Sequence, residues 1–345
     1  MARPKVSIVI CTYNSAKYLP TVLDAIYSQE YPKDLLKIII VDDNSKDSTV
    51  KLAKSYKSRF NAFRVIVKDK RLPKGAAVST NIGIKLSRGE IVCSIDSDAI
   101  ISKGWLRGVV SQFRDPKVGS VAGYINTANP EFLPARLVGA ELEDRYARIK
   151  KKEVDHVSTC NTAYRKSALD KVSGFDPEIY YGYDVDLSYK LKKAGYKILL
   201  LKNVGCVHHW KESFRGYLRQ QFNVAYGRLQ ILSRHPEKKG GDKVSGFFLF
   251  LQVPLTLLFF LFLLIQFFSW AFGYFDYFYF RYSYISALAI LALLFLMQLP
   301  QALRLLAFKK DASMLLMPFF NIARNFMWLV ALFVYYFRKM LRIER

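Results

Sequence analysis

The feature that most constrains the fold of this chain is a set of long apolar stretches in its C-terminal part. Residues 246–272 and 282–303 contain no charged side chain, and residues 313–337 contain one, Arg324. A helix needs about 20 apolar residues to cross a bilayer, so the first two stretches predict transmembrane helices. Because the preceding sequence mixes charges with short apolar runs, we expect two domains, at residues 1–237 and 238–345.

The third stretch is harder to place in lipid, because Pro318, Asn321 and Arg324 lie in its first half and polar groups are costly there. Three crossings would also carry the basic residues 338–345 to the outside. We therefore expect two spanning helices and a third that spans or, more in keeping with the charges, lies at the interface or against the N-terminal domain. The positive-inside rule puts the N-terminal domain in the cytoplasm of a multi-pass cell-membrane protein, from the basic residues Lys238, Lys239, Lys243, Arg304, Lys309 and Lys310.

The net charge of +24 indicates an anionic partner, which could be nucleic acid, lipid headgroups or a phosphorylated substrate. The apolar stretches favour membrane lipids. No helix-turn-helix pattern, zinc-ligand spacing or RNA-recognition motif occurs, so we expect no nucleic-acid partner. The four cysteines are far apart and lie mostly in apolar runs, which is typical of reduced thiols in a core.

The N-terminal part alternates short apolar runs with helix-like segments. Strands that are apolar on both faces and separated by helices predict a doubly wound α/β domain with a parallel sheet. We expect strands at residues 6–11, 37–41, 63–67, 91–95 and 197–201. We expect helices at residues 19–28, 49–56, 76–86, 185–194 and 213–234, with a less regular stretch at 121–165.

Polar residues follow three of these strands, at the sheet edge where such folds bind ligands. They are residues 12–14, residues 42–45, and the sequence Asp96-Ser97-Asp98. Two carboxylates one residue apart could hold Mg²⁺ or Mn²⁺ on a diphosphate. An acidic turn without function has the same letters, but the position directly after a buried strand favours the metal site.

Five motifs in order resemble the inverting glycosyltransferases of family 2, which have the nucleotide-sugar-binding fold called GT-A. They are VSIVICTYN (6–14), IVDDNSKD (40–47), KGAAVSTN (74–81), Asp96-Ser97-Asp98 and GYDVDL (182–187). Each motif alone is weak, and the five together are very specific. The resemblance covers roughly residues 5–234.

The resemblance implies a role for each matching residue. Asp98 would ligate the metal, Asp96 would contact the ribose or the metal, and Asp184 would be the catalytic base. The family usually has Glu-Asp at this last motif, and here Tyr183 takes the first position. The nucleotide-binding residues would be Thr12, Tyr13, Asn14, Asp42, Asp43, Lys74, Gly75 and Asp96.

Several assignments stay open. Asp184 could instead be the N-cap of a helix, and Asp186 is expected at the helix start or behind the base. His208 and His209 follow the last strand, and His209 in particular could add a metal ligand or be a satisfied core histidine. Arg215 and Arg219 are four residues apart and share a helix face, where they could hold phosphate or acceptor, or simply face solvent.

The sequence therefore predicts a metal-dependent inverting glycosyltransferase that uses Mn²⁺ or Mg²⁺. It would move a sugar from a nucleotide-diphosphate donor to a membrane acceptor, either a lipid-linked saccharide or a polyprenyl phosphate. The Gln-x-x-Arg-Trp motif of processive synthases is absent from residues 219–234, which favours single addition. The alternative is a non-catalytic membrane scaffold that binds nucleotide sugars.

Overall fold

The computed structural model describes residues 3–238, 248–272 and 277–341. These residues form two compact units, Met1–Glu131 with Leu142–Trp210, and Phe132–Glu141 with Lys211–Arg345. The first unit thus ends earlier than the domain expected at residues 1–237, and that domain boundary stays a prediction. Lys239, Lys243 and residues 342–345, which entered the orientation argument, lie outside the described residues.

The first unit contains one mixed sheet of eight strands in the order β3-β2-β1-β4-β7-β6-β8-β5. Its first four strands are parallel, as the sequence predicts. Strand β7 is antiparallel to both of its neighbours, and β5 is antiparallel to β8, so the complete sheet is mixed. The strands are β1 (Val6–Thr12), β2 (Leu36–Asp42), β3 (Ala62–Val67), β4 (Ile91–Ile95), β5 (Ala99–Ile101), β6 (Val118–Thr127), β7 (Asn161–Arg165) and β8 (Lys197–His208).

The central strands form because their side chains are apolar on both faces. Ile8, Ile38 and Cys93 lie side by side on β1, β2 and β4, and all three are fully buried. Burying an isoleucine side chain contributes about 1.5–3 kcal/mol. This burial fixes the strand register, and with it the edge at which the polar strand ends meet.

Helices cover the sheet, and those that follow β1, β2 and β3 begin near that edge. A Cβ atom at Gly83 would lie 2.2 Å from Cγ1 of Val9, so the helix that contains Gly83 packs on β1 with no room for a side chain. The helices are α1 (Leu19–Tyr27), α2 (Thr49–Ser55), α3 (Ala76–Leu86), α4 (Trp105–Ser111), α5 (Leu133–Arg148), α6 (Lys166–Lys171) and α7 (Tyr183–Lys193). Residues 121–165, expected to be less regular, contain most of β6, all of α5 and all of β7.

The second unit is helical. Its helices are α8 (Phe214–Arg234), α9 (Phe248–Ala271), α10 (Tyr277–Leu296), α11 (Leu299–Lys309) and α12 (Met317–Met340), together with the first part of α5. Three helical segments are long and apolar enough to cross a membrane: Leu251–Ala271, Phe280–Lys309 and Ala312–Met340. The stretch expected as one helix at 282–303 is broken before Leu299, because Pro300 cannot donate a hydrogen bond within a helix and favours a helix start.

The polar residues of the third apolar stretch are buried within this unit. Arg324 is 4% exposed and lies 3.6 Å from Oε1 of Glu141, on the first part of α5. Asn325 donates to Oε1 of Gln252 at 3.0 Å, and Asn321 donates to Oε1 of Gln298 at 2.9 Å. Partners elsewhere in this unit therefore offset the cost that these side chains would have in lipid.

Candidate active site

The carboxyl ends of β1 and β2 are joined by hydrogen bonds to Asp42. The Thr12 hydroxyl donates to Oδ1 of Asp42 at 3.0 Å, and the backbone N–H of Ser45 donates to Oδ2 at 2.8 Å. Asp42 is 1% exposed. Both carboxylate oxygens are thus used within the loop, so Asp42 shapes this end of the sheet, and its contact with a nucleotide stays a prediction.

Two asparagines adopt left-handed backbone conformations after β1 and β2. Asn14 has φ of 49° and Asn44 has φ of 64°, a region that asparagine tolerates better than most residues. Asn14 makes two hydrogen bonds with the loop after β2. Its N–H donates to Ser45 Oγ at 2.9 Å, and its Oδ1 accepts from the Lys46 N–H at 2.8 Å. Tyr13 beside it is 54% exposed, which leaves its ring accessible to a ligand.

Asp43 organises the next loop. It forms an ion pair with Lys68, whose side chain is fully buried, and its Oδ2 accepts a hydrogen bond from the Gly75 N–H at 2.9 Å. The Lys68 ammonium also donates to the carbonyl oxygen of Pro73 at 2.7 Å. Gly75 has φ of 130°, which a residue with a Cβ rarely adopts. Lys74 lies between Pro73 and Gly75, which these bonds hold in place, and its own side chain is exposed.

Lys68 was not among the residues expected from sequence. A single lysine directly after an apolar strand gives no signal of its own. Its pairing with Asp43 becomes visible only when the parallel register sets β2 beside β3.

Asp96, Asp98 and His208 form a cluster that could hold a metal ion, with one ligand atom of each lying within 4.8 Å of the others. Nε2 of His208 lies 3.3 Å from Oδ1 of Asp98 and 3.9 Å from Oδ2 of Asp96. Two carboxylates and an imidazole nitrogen are a donor set that suits Mn²⁺. This geometry fits the metal that the Asp-x-Asp pattern implies.

The charge of this cluster controls the protonation of His208. Burial by itself would lower the pKa of the imidazole, but a hydrogen bond with Asp96 and the charge of Asp98 raise the pKa of His208 to about 9. Without a bound cation, His208 is therefore positively charged at neutral pH and balances the carboxylates.

His209, singled out as a possible ligand from sequence, lies beside the cluster. Its Nδ1 atom is 3.2 Å from the backbone oxygen of Asp98, and its ring packs on that of Tyr18 with centroids 4.3 Å apart. Strand alternation is the signal that separates the two histidines. His208 lies two residues after the buried Cys206, at the end of the same strand, and shares its side of the sheet.

Asp184 lies in the first turn of α7. The N-cap position belongs to Gly182, which has φ of 80°, and Oδ1 of Asp184 accepts a hydrogen bond from the Val185 N–H at 2.9 Å. Burial raises the pKa of the Asp184 carboxyl, His156 and the Val185 N–H lower it in part, and Asp96 raises it. A carboxylate with a raised pKa is a stronger base.

Tyr183 and Asp186 flank this position. Burial, together with the charges of Asp96 and Asp184, raises the pKa of the Tyr183 phenol, which therefore stays neutral. Its ring meets Phe175 edge-on at 5.5 Å. Asp186 is buried, and its carboxylate lies 3.5 Å from Lys190 one turn along the helix. This ion pair within α7 is typical of a residue that stabilises the helix.

Arg215 and Arg219 lie on α8 in the second unit, and both are exposed. Their side chains share one face of the helix. Their contact with phosphate or acceptor stays a prediction.

The fold resembles that of a mannosyltransferase from Pyrobaculum calidifontis, whose structure was solved with GDP-Man and Mn²⁺. The TM-score is 0.59 at 21% identity, and the match covers 95% of this chain and 88% of the other. At this identity the likeness concerns the fold. The mixed sheet, with its acidic pair at the end of β4, is a GT-A fold.

Two family models match the sequence. The model described as glycosyl transferase family 2 matches residues 7–173, and that of glycosyl transferase family group 2 matches residues 91–341. The chain belongs to glycosyltransferase family 2.

Two curated relatives are each similar to about two thirds of this chain. Glycosyltransferase AglE of Haloferax volcanii is 28% identical over 233 residues, which are 66% of this chain and 74% of that protein. The poly-beta-1,6-N-acetyl-D-glucosamine synthase of Staphylococcus epidermidis is 26% identical over 235 residues, 66% of this chain and 56% of that protein. The match thus leaves much of the second relative uncovered.

Proposed function

We propose that this chain transfers a sugar from a nucleotide-diphosphate donor to an acceptor at a membrane, with a divalent metal and with inversion at the anomeric carbon. The observation that carries the proposal is the meeting of Asp96, Asp98 and His208 at the ends of β4 and β8. The structure of the similar mannosyltransferase was solved with GDP-Man and Mn²⁺, which supports the same ligand classes here.

Asp96, Asp98 and His208 would hold Mn²⁺ or Mg²⁺, and the imidazole nitrogen favours Mn²⁺. The bound cation would neutralise charge on the diphosphate leaving group. The chain's own contribution is to orient the donor. Tyr13, exposed at the end of β1, and Asp43 would contact the nucleoside, and Lys74 would lie near the phosphates.

Asp184 would accept the proton of the acceptor hydroxyl. Its burial at the start of α7 raises its pKa, so the carboxylate binds a proton more readily than an exposed aspartate. A base on the face of the sugar opposite the leaving group gives a single in-line displacement, and such a displacement inverts the anomeric carbon.

The acceptor would be a lipid-linked saccharide or a polyprenyl phosphate. Three helical segments with the length and composition of membrane spans support a membrane location. The exposed pair Arg215 and Arg219 supports an anionic group at the acceptor. The basic residues Lys238, Arg304, Lys309 and Lys310 support a catalytic unit on the cytoplasmic side.

The test is turnover of UDP- and GDP-sugars by membranes that contain the full chain, with Mn²⁺, with Mg²⁺ and with chelator. We expect one donor to be consumed only with metal, Asp98→Asn to lose metal dependence and activity together, and Asp184→Asn to bind donor without turnover. Asp170→Asn, which removes a surface carboxylate paired with Lys166, is the matched control and keeps activity.

The outcomes separate the parts of the proposal. Donor binding without turnover, in the presence of lipid-linked acceptors, would support the non-catalytic scaffold. Turnover that prefers soluble acceptors would contradict only the lipid acceptor. Undiminished turnover by Asp184→Asn would reject this residue as the base.

A further inference from the structure

The last residue of β8, His208, lies between two other strands. It pairs with Ala99 of β5 on one side and with Thr127 of β6 on the other. The ladder to β6 continues one step beyond the strand, where the Ala128 N–H donates to the His208 carbonyl oxygen at 2.9 Å. His208 therefore has a well-fixed backbone on both sides.

Asn129 extends this ladder with its side chain. Its Nδ2 donates to the carbonyl oxygen of Trp210 at 3.0 Å, and its Oδ1 accepts from the Trp210 N–H at 3.0 Å. Asn129 is 3% exposed, so water does not compete for these two bonds. The amide side chain takes the place of a backbone residue and fixes the chain two residues after His208.

The indole of Trp210 in turn packs against the imidazole of His208, with centroids 4.5 Å apart at 47°. Metal-binding histidines usually donate a hydrogen bond from the N–H of their second ring nitrogen to a partner, which fixes the orientation of the ring. Among the described residues, Nδ1 of His208 is buried and has no such partner. Packing against Trp210 is therefore a contact that can set the ring's rotation.

We infer that Asn129 and Trp210 are positioning residues that hold His208 as the third ligand of the metal site. Asn129 acts on the backbone of Trp210, and Trp210 acts on the imidazole through its ring. The inference rests on the proposed metal dependence, because it concerns a ligand of the proposed metal. It assigns this support to two residues that are not themselves ligands of the proposed metal.

The test is Mn²⁺ binding to the full-length purified chain without donor, measured from the EPR signal of free Mn²⁺. Loss of support for a metal ligand typically weakens affinity 10- to 100-fold, so we expect Asn129→Ala to weaken Mn²⁺ binding about 10-fold. Trp210→Phe tests the ring contact alone. Asn129→Asp keeps the acceptor oxygen and loses the donor. If Asn129→Ala fails to fold, the Mn²⁺ affinity of Asn129→Asp tests the positioning role of Asn129 instead.

Asn81 offers a matched control. It makes the same pair of bonds with Phe175, donating from Nδ2 to the carbonyl oxygen at 2.7 Å and accepting the N–H at Oδ1 at 3.0 Å. We expect Asn81→Ala to lower stability as Asn129→Ala does, and to leave Mn²⁺ affinity within about two-fold of wild type. Combining His208→Ala with Asn129→Ala should weaken binding no further than His208→Ala alone.

Three failures are distinguishable. If Asp98→Asn weakens binding but Asn129→Ala and Asn81→Ala both bind as wild type, the positioning role is wrong and the metal site stands. If wild type and Asp98→Asn bind Mn²⁺ alike, or neither binds, the proposed metal site is wrong, and the role of Asn129 falls with it. A further loss in the double variant would show that Asn129 does not act through His208.

Discussion

The hydroxyl oxygens of Ser15 and Ser97 lie 2.7 Å apart, so the residue between the two aspartates of the metal cluster is tied to the loop after β1. Ser15 is buried, and its N–H donates to Thr49 Oγ1 at 2.7 Å. The loops that follow β1 and β4 are thus connected by a hydrogen bond between two side chains.

Ser97→Ala removes this connection and keeps both aspartates. A single hydrogen bond contributes about 0.5–1.5 kcal/mol, so we expect the KM for donor to rise about five-fold with little change in kcat. Ser111→Ala, at an exposed serine that bonds within its own helix, should leave KM unchanged. Equal KM values in the two variants would show that the Ser15–Ser97 bond does not orient the donor site.

The metal-free protein should lose stability at alkaline pH because of His208. Its pKa in the folded state is about 9, above the ordinary 6.5, so its contribution is complete below pH 6.5 and is lost as pH rises through 9. The difference corresponds to about 3 kcal/mol at most. Thermal unfolding with chelator at pH 6.5 and pH 9.5 should show this loss, and His208→Gln should remove it. A wild-type midpoint with no more pH dependence than the variant's would contradict it.

The acid limb of the rate profile should report Asp184. Because the folded-state pKa of this carboxyl is raised, kcat/KM should fall, as pH decreases, at a higher pH than an ordinary aspartate would give. His156 lowers that pKa, so His156→Gln should move the limb to still higher pH. His235→Gln, in the second unit beside Glu237, is the control. An unchanged limb in His156→Gln would remove His156 from the environment of the base.

The Lys68–Asp43 ion pair should be the most sensitive point of the loops that follow β2 and β3. Lys68→Met leaves Asp43 without its buried counter-charge, and breaking such pairs costs about 3–5 kcal/mol. We expect the unfolding midpoint to drop by roughly 6–20 °C. Lys74→Met, at an exposed lysine nearby, should leave the midpoint near that of wild type. A small effect of Lys68→Met would mean that water or another cation replaces the ammonium.

The sequence predicts the strands that are buried on both faces of the sheet. Strands β1, β2 and β4 are apolar on both faces, so each is recognisable without knowledge of its neighbours. Helix α5 is different, because its sequence LPARLVGAELEDRYAR mixes charges and apolar residues. Its Leu137 and Ala140 are buried against Ala302 and Met314, far along the chain, so no local pattern announces the helix.

The site residues divide in the same way, into those with a local sequence pattern and those that depend on distant contacts. Asp96, Asp98 and Asp184 stand in recognisable motifs, whereas Lys68, Asn129 and Trp210 acquire their partners only through strand register and loop contacts. The choice between His208 and His209 depends on which face of β8 each side chain takes. Alternation from Cys206 resolves that choice, once the strand is known to extend to His208.

The amide oxygen of Gln252 accepts hydrogen bonds from Gln298 at 2.8 Å and from Asn325 at 3.0 Å. A ribosome makes Gln252 73 residues before Asn325, so during synthesis the first apolar helix emerges long before its polar partners exist. An unpaired amide is costly to a helix entering a bilayer. The polar partners of Gln252 are therefore complete only once α12 has been made, and a chain truncated before α12 would lack the Asn325 donor.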